Sequence, residues 1–226
     1  VKADIVYFND AIYIFSKGNI ALKYTGTITN LFAGTIDVDY IPPIDGNNGH
    51  PNIIAANIDG DVGCSAYGRL WVSGVNGNYD TIYYSDLLIA TQWYDGRATP
   101  ADTQNTGGII DVSKYWPNGG DRIVSIQAHN NFLIIFGRQS ILLYSSVNNF
   151  ADPADVGGLI LQDAISSMGA VARDAVTNIG SDLLFVDDSG VRSLGRTIQE
   201  KSVPIGDLTA NVKRDISSLI RDEPND

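Results

Sequence analysis

The stretch Arg69-Leu-Trp-Val-Ser-Gly-Val-Asn-Gly-Asn-Tyr-Asp-Thr-Ile-Tyr-Tyr-Ser85 decides the fold class. It is an apolar run, a Gly/Asn turn and a second run of alternating character, the pattern of a β-hairpin. The same module recurs with variation. It appears as Ala11-Ile-Tyr-Ile-Phe-Ser-Lys-Gly-Asn-Ile-Ala-Leu-Lys-Tyr24, as Phe132-Leu-Ile-Ile-Phe-Gly-Arg-Gln-Ser-Ile-Leu-Leu-Tyr144, and as Asp182-Leu-Leu-Phe-Val-Asp-Asp-Ser-Gly-Val-Arg-Ser-Leu194. Taking Ile12, Leu70, Leu133 and Leu183 as equivalent gives steps of 58, 63 and 50 residues. Multi-strand units recurring at periods of roughly 40–50 residues or more are the mark of propeller blades or a related radial β array.

The segments between these modules complete the organisation. Ile5 to Tyr24 reads as strands broken at Asn9-Asp10 and Lys17-Gly18-Asn19. Thr25 to Ile58 reads as a strand, such as Thr35 to Tyr40, followed by a long excursion loop around Pro42-Pro43. Leu87 to Gly120 reads as loop with short strands, and 147–170 as another long connection. Asp207 is placed to N-cap a helix in which Leu208, Val212, Ile216, Leu219 and Ile220 recur at helical spacing before Pro224. The expected architecture is therefore mainly β, a propeller-type array of hairpin blades over residues 1–205. A single amphipathic helix and a polar tail occupy 206–226. Four hairpin modules leave the ring incomplete unless the intervening runs, or other chain segments, supply the remaining strands. A β-sandwich is the competing architecture.

With 226 residues, 44% of them hydrophobic, the chain is long enough for a sizeable core. It opens at Val1 close to a strand, which reads as a fragment or a processed product, and no signal peptide or membrane span is expected. Cys64 is the only cysteine, so no internal disulfide staples the fold, and it reads as a small buried hydrophobe. The net charge of −11 argues against a dedicated nucleic-acid binder, because phosphate contacts need clustered Lys and Arg. An acidic balance serves solubility. It equally suits a conduit that must not stick to DNA passing through it.

Catalytic motifs are scarce. The two histidines, His50 and His129, sit in no nucleophile or metal motif. The chain lacks a G-x-S-x-G elbow, a P-loop, a G-x-G-x-x-G run and an H-E-x-x-H pair. Asp37 with Asp39, Asp59 with Asp61, and Asp187 with Asp188 are close carboxylate pairs near Gly. Asp45 to Gly49 and Asp59 to Gly63 offer the hard oxygens that Ca²⁺ favours. Neither loop ends in the Glu of a twelve-residue calcium loop, and Asp and Asn fill tight turns routinely. No catalytic, cofactor or metal residue is assigned, and no cofactor and no enzymatic activity are expected. Trp71 and Tyr83 lie on strands and read as core or cross-strand pairs. Trp93, Tyr94 and Trp116 lie in loops and are the better candidates for a sugar-stacking surface, although core or loop anchoring is the more common role of such rings.

The ordered set of modules has a resemblance. Gly68-Arg-Leu-Trp-Val-Ser-Gly, followed by Thr81-Ile-Tyr-Tyr-Ser-Asp86 and Gln92-Trp93, resembles a recurrent segment of the tail nozzle proteins of short-tailed bacteriophages, also called tail tubular protein B. Asp121-Arg-Ile-Val-Ser-Ile with Phe132 to Tyr144 is similar to that family's next repeat. Ser167-Met-Gly-Ala with Gly180 to Leu194 resembles the one after, and Asp207 to Ile220 the helical stretch that follows. The resemblance implies a β-propeller-containing virion protein, present here as an internal portion of a longer chain. Its implied partners are copies of itself in a ring, adaptor or portal proteins and tail-fibre proteins. DNA would pass the lumen without specific binding and no membrane would be involved. The implied setting is the phage tail, assembled in the host cytoplasm. A carbohydrate-binding or glycoside-cleaving β-propeller is the alternative, since fold does not fix function.

Overall fold

The computed structural model describes residues 2–24, 60–85, 87–88, 90, 108–146 and 159–199. Among them, fourteen strands form four antiparallel sheets, each a meander in which neighbours in the chain are neighbours in the sheet. The first sheet holds β1 (Asp4–Phe8), β2 (Ala11–Ser16) and β3 (Asn19–Tyr24). The second holds β4 (Val62–Ala66), β5 (Arg69–Ser73), β6 (Thr81–Tyr84) and β7 (Gly108–Asp111). The third holds β8 (Ser125–His129), β9 (Phe132–Phe136), β10 (Ser140–Ser146) and β11 (Leu159–Ser166). The fourth holds β12 (Val176–Asn178), β13 (Leu183–Asp187) and β14 (Gly190–Ser193). The mainly β class and the strand breaks at Asn9-Asp10 and Lys17-Gly18 agree with the sequence.

Turn chemistry explains the shared register of three sheets. Their first two strands are joined by Asn9-Asp10, Tyr67-Gly68 and Asn130-Asn131, and all six residues have φ between 45° and 68°. Two consecutive left-handed residues make a type I′ turn, whose twist matches that of the flanking strands. The closing pairs are Phe8 with Ala11, Ala66 with Arg69, and His129 with Phe132. Ile12, Leu70 and Leu133 are therefore equivalent by geometry, each second in its strand. Cys64 lies inside β4.

Two expectations need revision. Residues 159–166, assigned to a connection, form β11 at the edge of the third sheet. Of its eight residues only Ile165 is buried, with Leu159, Leu161 and Asp163 on the same half-covered side; Asp163 interrupts that apolar row, and pairing with β10 completes the strand. A short helix, α1 (Leu194–Gln199), also follows β14 directly. Ser193 caps it, its hydroxyl accepting the Arg196 N–H at 3.2 Å, while Leu194 and Thr197 are buried. The helix expected at 207–220 lies outside the described residues, as does the strand expected at Thr35 to Tyr40.

The chain divides into two compact units, Val1–Val112 with Tyr144–Ile160, and Ser113–Leu143 with Leu161–Asp226. In the first, Val6, Phe8, Ala11, Tyr13, Phe15 and Ala21 pack against Leu70, Val72 and Val75, joining the first sheet to the second. Phe15 is fully enclosed, and burying such a ring contributes about 1.5–3 kcal/mol. Gly63 lets β4 approach it, since a Cβ there would lie 2.7 Å from Phe15 Cδ2. The Gly63 N–H donates to Asp4 Oδ2 at 3.0 Å, tying β4 to β1. In the second unit, Ile134, Phe136, Ile141, Leu143 and Ile165 pack with Leu183, Phe185 and Leu194. Phe136 and Phe185 meet at 5.4 Å between centroids.

Candidate functional site

Several carboxylates hold turns together. Asp121, just before β8, reaches the turn between β9 and β10. Its Oδ1 accepts the Arg122 and Arg138 N–H groups at 2.8 and 2.9 Å, and its Oδ2 accepts that of Gln139 at 2.9 Å. This fits only because residue 137 is glycine: a Cβ there would lie 2.3 Å from Asp121 Oδ2. The second sheet repeats the close approach of an Asp to a Gly. Asp61 precedes β4, a Cβ on Gly74 would lie 2.2 Å from its Oδ1, and Tyr79 donates its hydroxyl to Oδ2 at 3.0 Å.

Asp182 makes a related set before β13. Its Oδ1 accepts the Leu183 and Gly195 N–H groups at 2.8 and 2.9 Å, and Oδ2 accepts the Ser193 hydroxyl. Partial burial alone would raise its pKa. The Ser193, Gly195 and Leu183 donors, with His129 nearby, outweigh that and hold the carboxyl below its ordinary range. Asp61 to Gly74 and Asp182 to Gly195 are both thirteen residues apart, and Asp121 to Gly137 sixteen.

These contacts decide what the described Asp pairs do. Asp187 is turned inward, accepting Ser189 N–H and Oγ–H at 2.7 and 2.6 Å and the Gly190 N–H at 2.9 Å. Arg192 closes on its other oxygen. Asp188 is exposed, so the pair does not converge on a common point. Asp61 is committed to its own turn. Asp37, Asp39, Asp59 and the Asp45–Gly49 loop lie outside the described residues. Among the described residues, no group of three or more His, Cys, Asp or Glu side chains is arranged to hold a metal ion.

The remaining candidates separate cleanly. His129 ends β8, half-buried, with Nε2 enclosed and without a hydrogen-bond partner. His50 lies outside the described residues, as do Trp93 and Tyr94. Trp116, a loop ring that could have served either as a stacking surface or as a core anchor, is buried at 5% exposure, which removes it from any stacking surface. The 3-10 turn Ser113–Tyr115 delivers the ring inward, an outcome that loop composition does not reveal. Trp71 is fully buried and sits opposite Tyr84, ring centroids 5.1 Å apart, as the strand reading anticipates. Arg69, also buried, lies over the Tyr84 ring and donates to Ser85 O at 2.6 Å. Burial, with Asp4 nearby, pushes the Cys64 thiol far up, so it is a poor nucleophile.

One surface feature was missed by the sequence reading. On the first sheet, the face turned away from the core carries two cross-strand rows. Ile5, Ile14 and Leu22 form one, and Tyr7, Ile12 and Tyr24 the other. Ile5 and Tyr7 are 71% and 65% exposed. Apolar residues at successive rather than alternate positions in Ala11-Ile-Tyr-Ile-Phe15 are the signal that could have identified it, since a sheet with one wet face alternates apolar with polar.

Charge is also unevenly distributed. Of 26 acidic and 15 basic residues, eleven and ten lie among the described residues, so the sheets are nearly neutral. The acidic excess belongs to the remaining sequence. No helix among the described residues is long and apolar enough to cross a membrane. No protein-family model matches the chain, and no curated protein matches it.

Proposed function

We propose that this protein is a structural subunit of the tail nozzle of a short-tailed phage, its sheets acting as consecutive blades of a propeller-type array around a DNA passage. The observation that carries the reading is the succession of meander sheets. Each is built from consecutive strands, and the first is packed face to face on the second through Phe15, Leu70 and Val72. Blades of up to four antiparallel strands, stacked through their faces, are how radial β arrays protect their edges. The described carboxylates with the most enclosed contacts are spent on turns, which suits a scaffold better than a catalyst.

Charge supports the same reading. Nearly neutral sheets with acidic connections would give a rigid wall that repels phosphate, and DNA would pass without the Lys and Arg contacts that add salt-sensitive affinity. The expected partners are further copies of the chain in a ring, with adaptor or portal and tail-fibre proteins above and below. Electron microscopy of the full-length protein tests this. Rings with a central channel, bound by tail components, are expected; monomers under all conditions, with no affinity for tail components, would overturn it.

A further inference from the structure

We propose that Asn118 is a site of spontaneous deamidation, and that the fold selects it over Asn76, which also precedes a glycine. Asn118 and Gly119 are both exposed, in the turn between Tyr115 and Asp121. The reaction needs the Gly119 backbone nitrogen to attack Cγ of Asn118. That N–H is held only by a long 3.3 Å bond to Trp116 O, beyond the usual N–H···O range. Gly119 has φ +89°, and beyond its two chain neighbours no heavy atom lies within 4 Å of where its Cβ would stand. The five-membered imide therefore has room to form, with no side chain on the following residue to hinder it.

Asn76-Gly77 has the same two residues in a closed turn. The Gly77 N–H donates to Gly74 O at 2.9 Å, Asn78 N–H to Val75 O at 3.0 Å, and Gly74 N–H to Asn78 O at 3.0 Å. Val75 is buried, and Gly74 is backed by the Asp61 carboxylate. Attack there requires breaking the bond that closes the turn and swinging Asn76 out of its φ 52°, ψ 28° conformation.

The chemistry balances with water as the only co-reactant. The Gly119 nitrogen loses its proton and bonds to Asn118 Cγ, and the Cγ–Nδ2 bond breaks, releasing ammonia. Water then opens the imide at either carbonyl. Opening at one gives aspartate, and at the other isoaspartate, which adds a methylene to the backbone two residues after buried Trp116. Either product makes the chain one charge more negative than its −11.

The test is peptide mapping of the full-length folded chain held at mildly alkaline pH and 37 °C, with the urea-unfolded chain alongside. The peptide containing Asn118 should gain about 1 Da, roughly tenfold faster than the one containing Asn76, while in urea the two rates converge. An Asn118→Gln variant, whose longer side chain cannot form the five-membered imide, should lose the corresponding acidic species on anion exchange. Asn118 staying intact while the unfolded chain reacts, or Asn76 reacting as fast in the folded chain, would overturn the assignment.

Discussion

Gly137 leaves the space that the Asp121 carboxylate fills: a Cβ on residue 137 would stand 2.3 Å from Asp121 Oδ2. The carboxylate uses that space to accept three backbone N–H groups, two of them from the turn that joins β9 to β10. A charged acceptor and a missing side chain, sixteen residues apart, thus act as one element. Gly137→Ala is expected to destabilise the fold by roughly 1–3 kcal/mol, the range for a forced shift in a packed site. Asp121→Ala should cost about as much by stranding turn donors. Because the two share one contact, the double variant should cost less than their sum. Urea denaturation of the four proteins measures this, and strict additivity would rule out the coupling.

Asp182 predicts a pH dependence. Its folded pKa is depressed, so the stability it contributes is present above the unfolded carboxylate value of about 3.9 and is lost as pH falls through the lower folded value. Asp182→Asn should flatten the acid limb of the thermal unfolding midpoint against pH while leaving neutral-pH behaviour of the other carboxylates intact. An acid limb identical to that of the parent chain would refute the assignment.

Cys64 should be silent in the native state. Its thiol is buried within β4 and held protonated, and only the thiolate attacks a disulfide reagent. Labelling with an aromatic disulfide at pH 8 is expected to be slow for the folded chain and complete within the mixing time in denaturant. Fast native labelling would place the thiol at the surface.

The two faces of β1 should respond oppositely to truncation. Phe8, on the core face, is enclosed with Tyr13, and Phe8→Ala should cost about 3–5 kcal/mol. Tyr7, one residue away, is exposed and bonded only to Asp10 at 3.1 Å. Tyr7→Ser should change the stability of the isolated chain by no more than about 0.5 kcal/mol. Calorimetry distinguishes the two, and comparable losses would mean that the outer face is covered within the monomer.

Duplex DNA should bind weakly even at low salt if the chain lines a passage. Fluorescence anisotropy with a short labelled duplex is expected to show no saturable binding at 50 mM salt, where proteins making several phosphate contacts bind tightly. Tight, salt-sensitive binding would defeat the conduit reading.

The sequence determined what is local. Asn9-Asp10 and Asn130-Asn131 dictate two-residue turns, and the apolar runs beside them dictate strands, so the mainly β class and most hairpins were legible; the turn at Tyr67-Gly68 was not, because a tyrosine rarely takes positive φ. Trp71 and Cys64 were legible as interior residues for the same reason, since both sit in runs whose neighbours are apolar or small. Tertiary structure alone decided the rest. β11 is held by its neighbour's backbone, Trp116 is buried by the turn that aims it, and Asp61, Asp121 and Asp182 meet glycines thirteen to sixteen residues away. A carboxylate in an Asp-rich turn looks the same in sequence whether it faces water, a cation or a backbone N–H. Only the folded chain fixes which of these satisfies its lone pairs, because the partner arrives from a strand that composition does not place beside it.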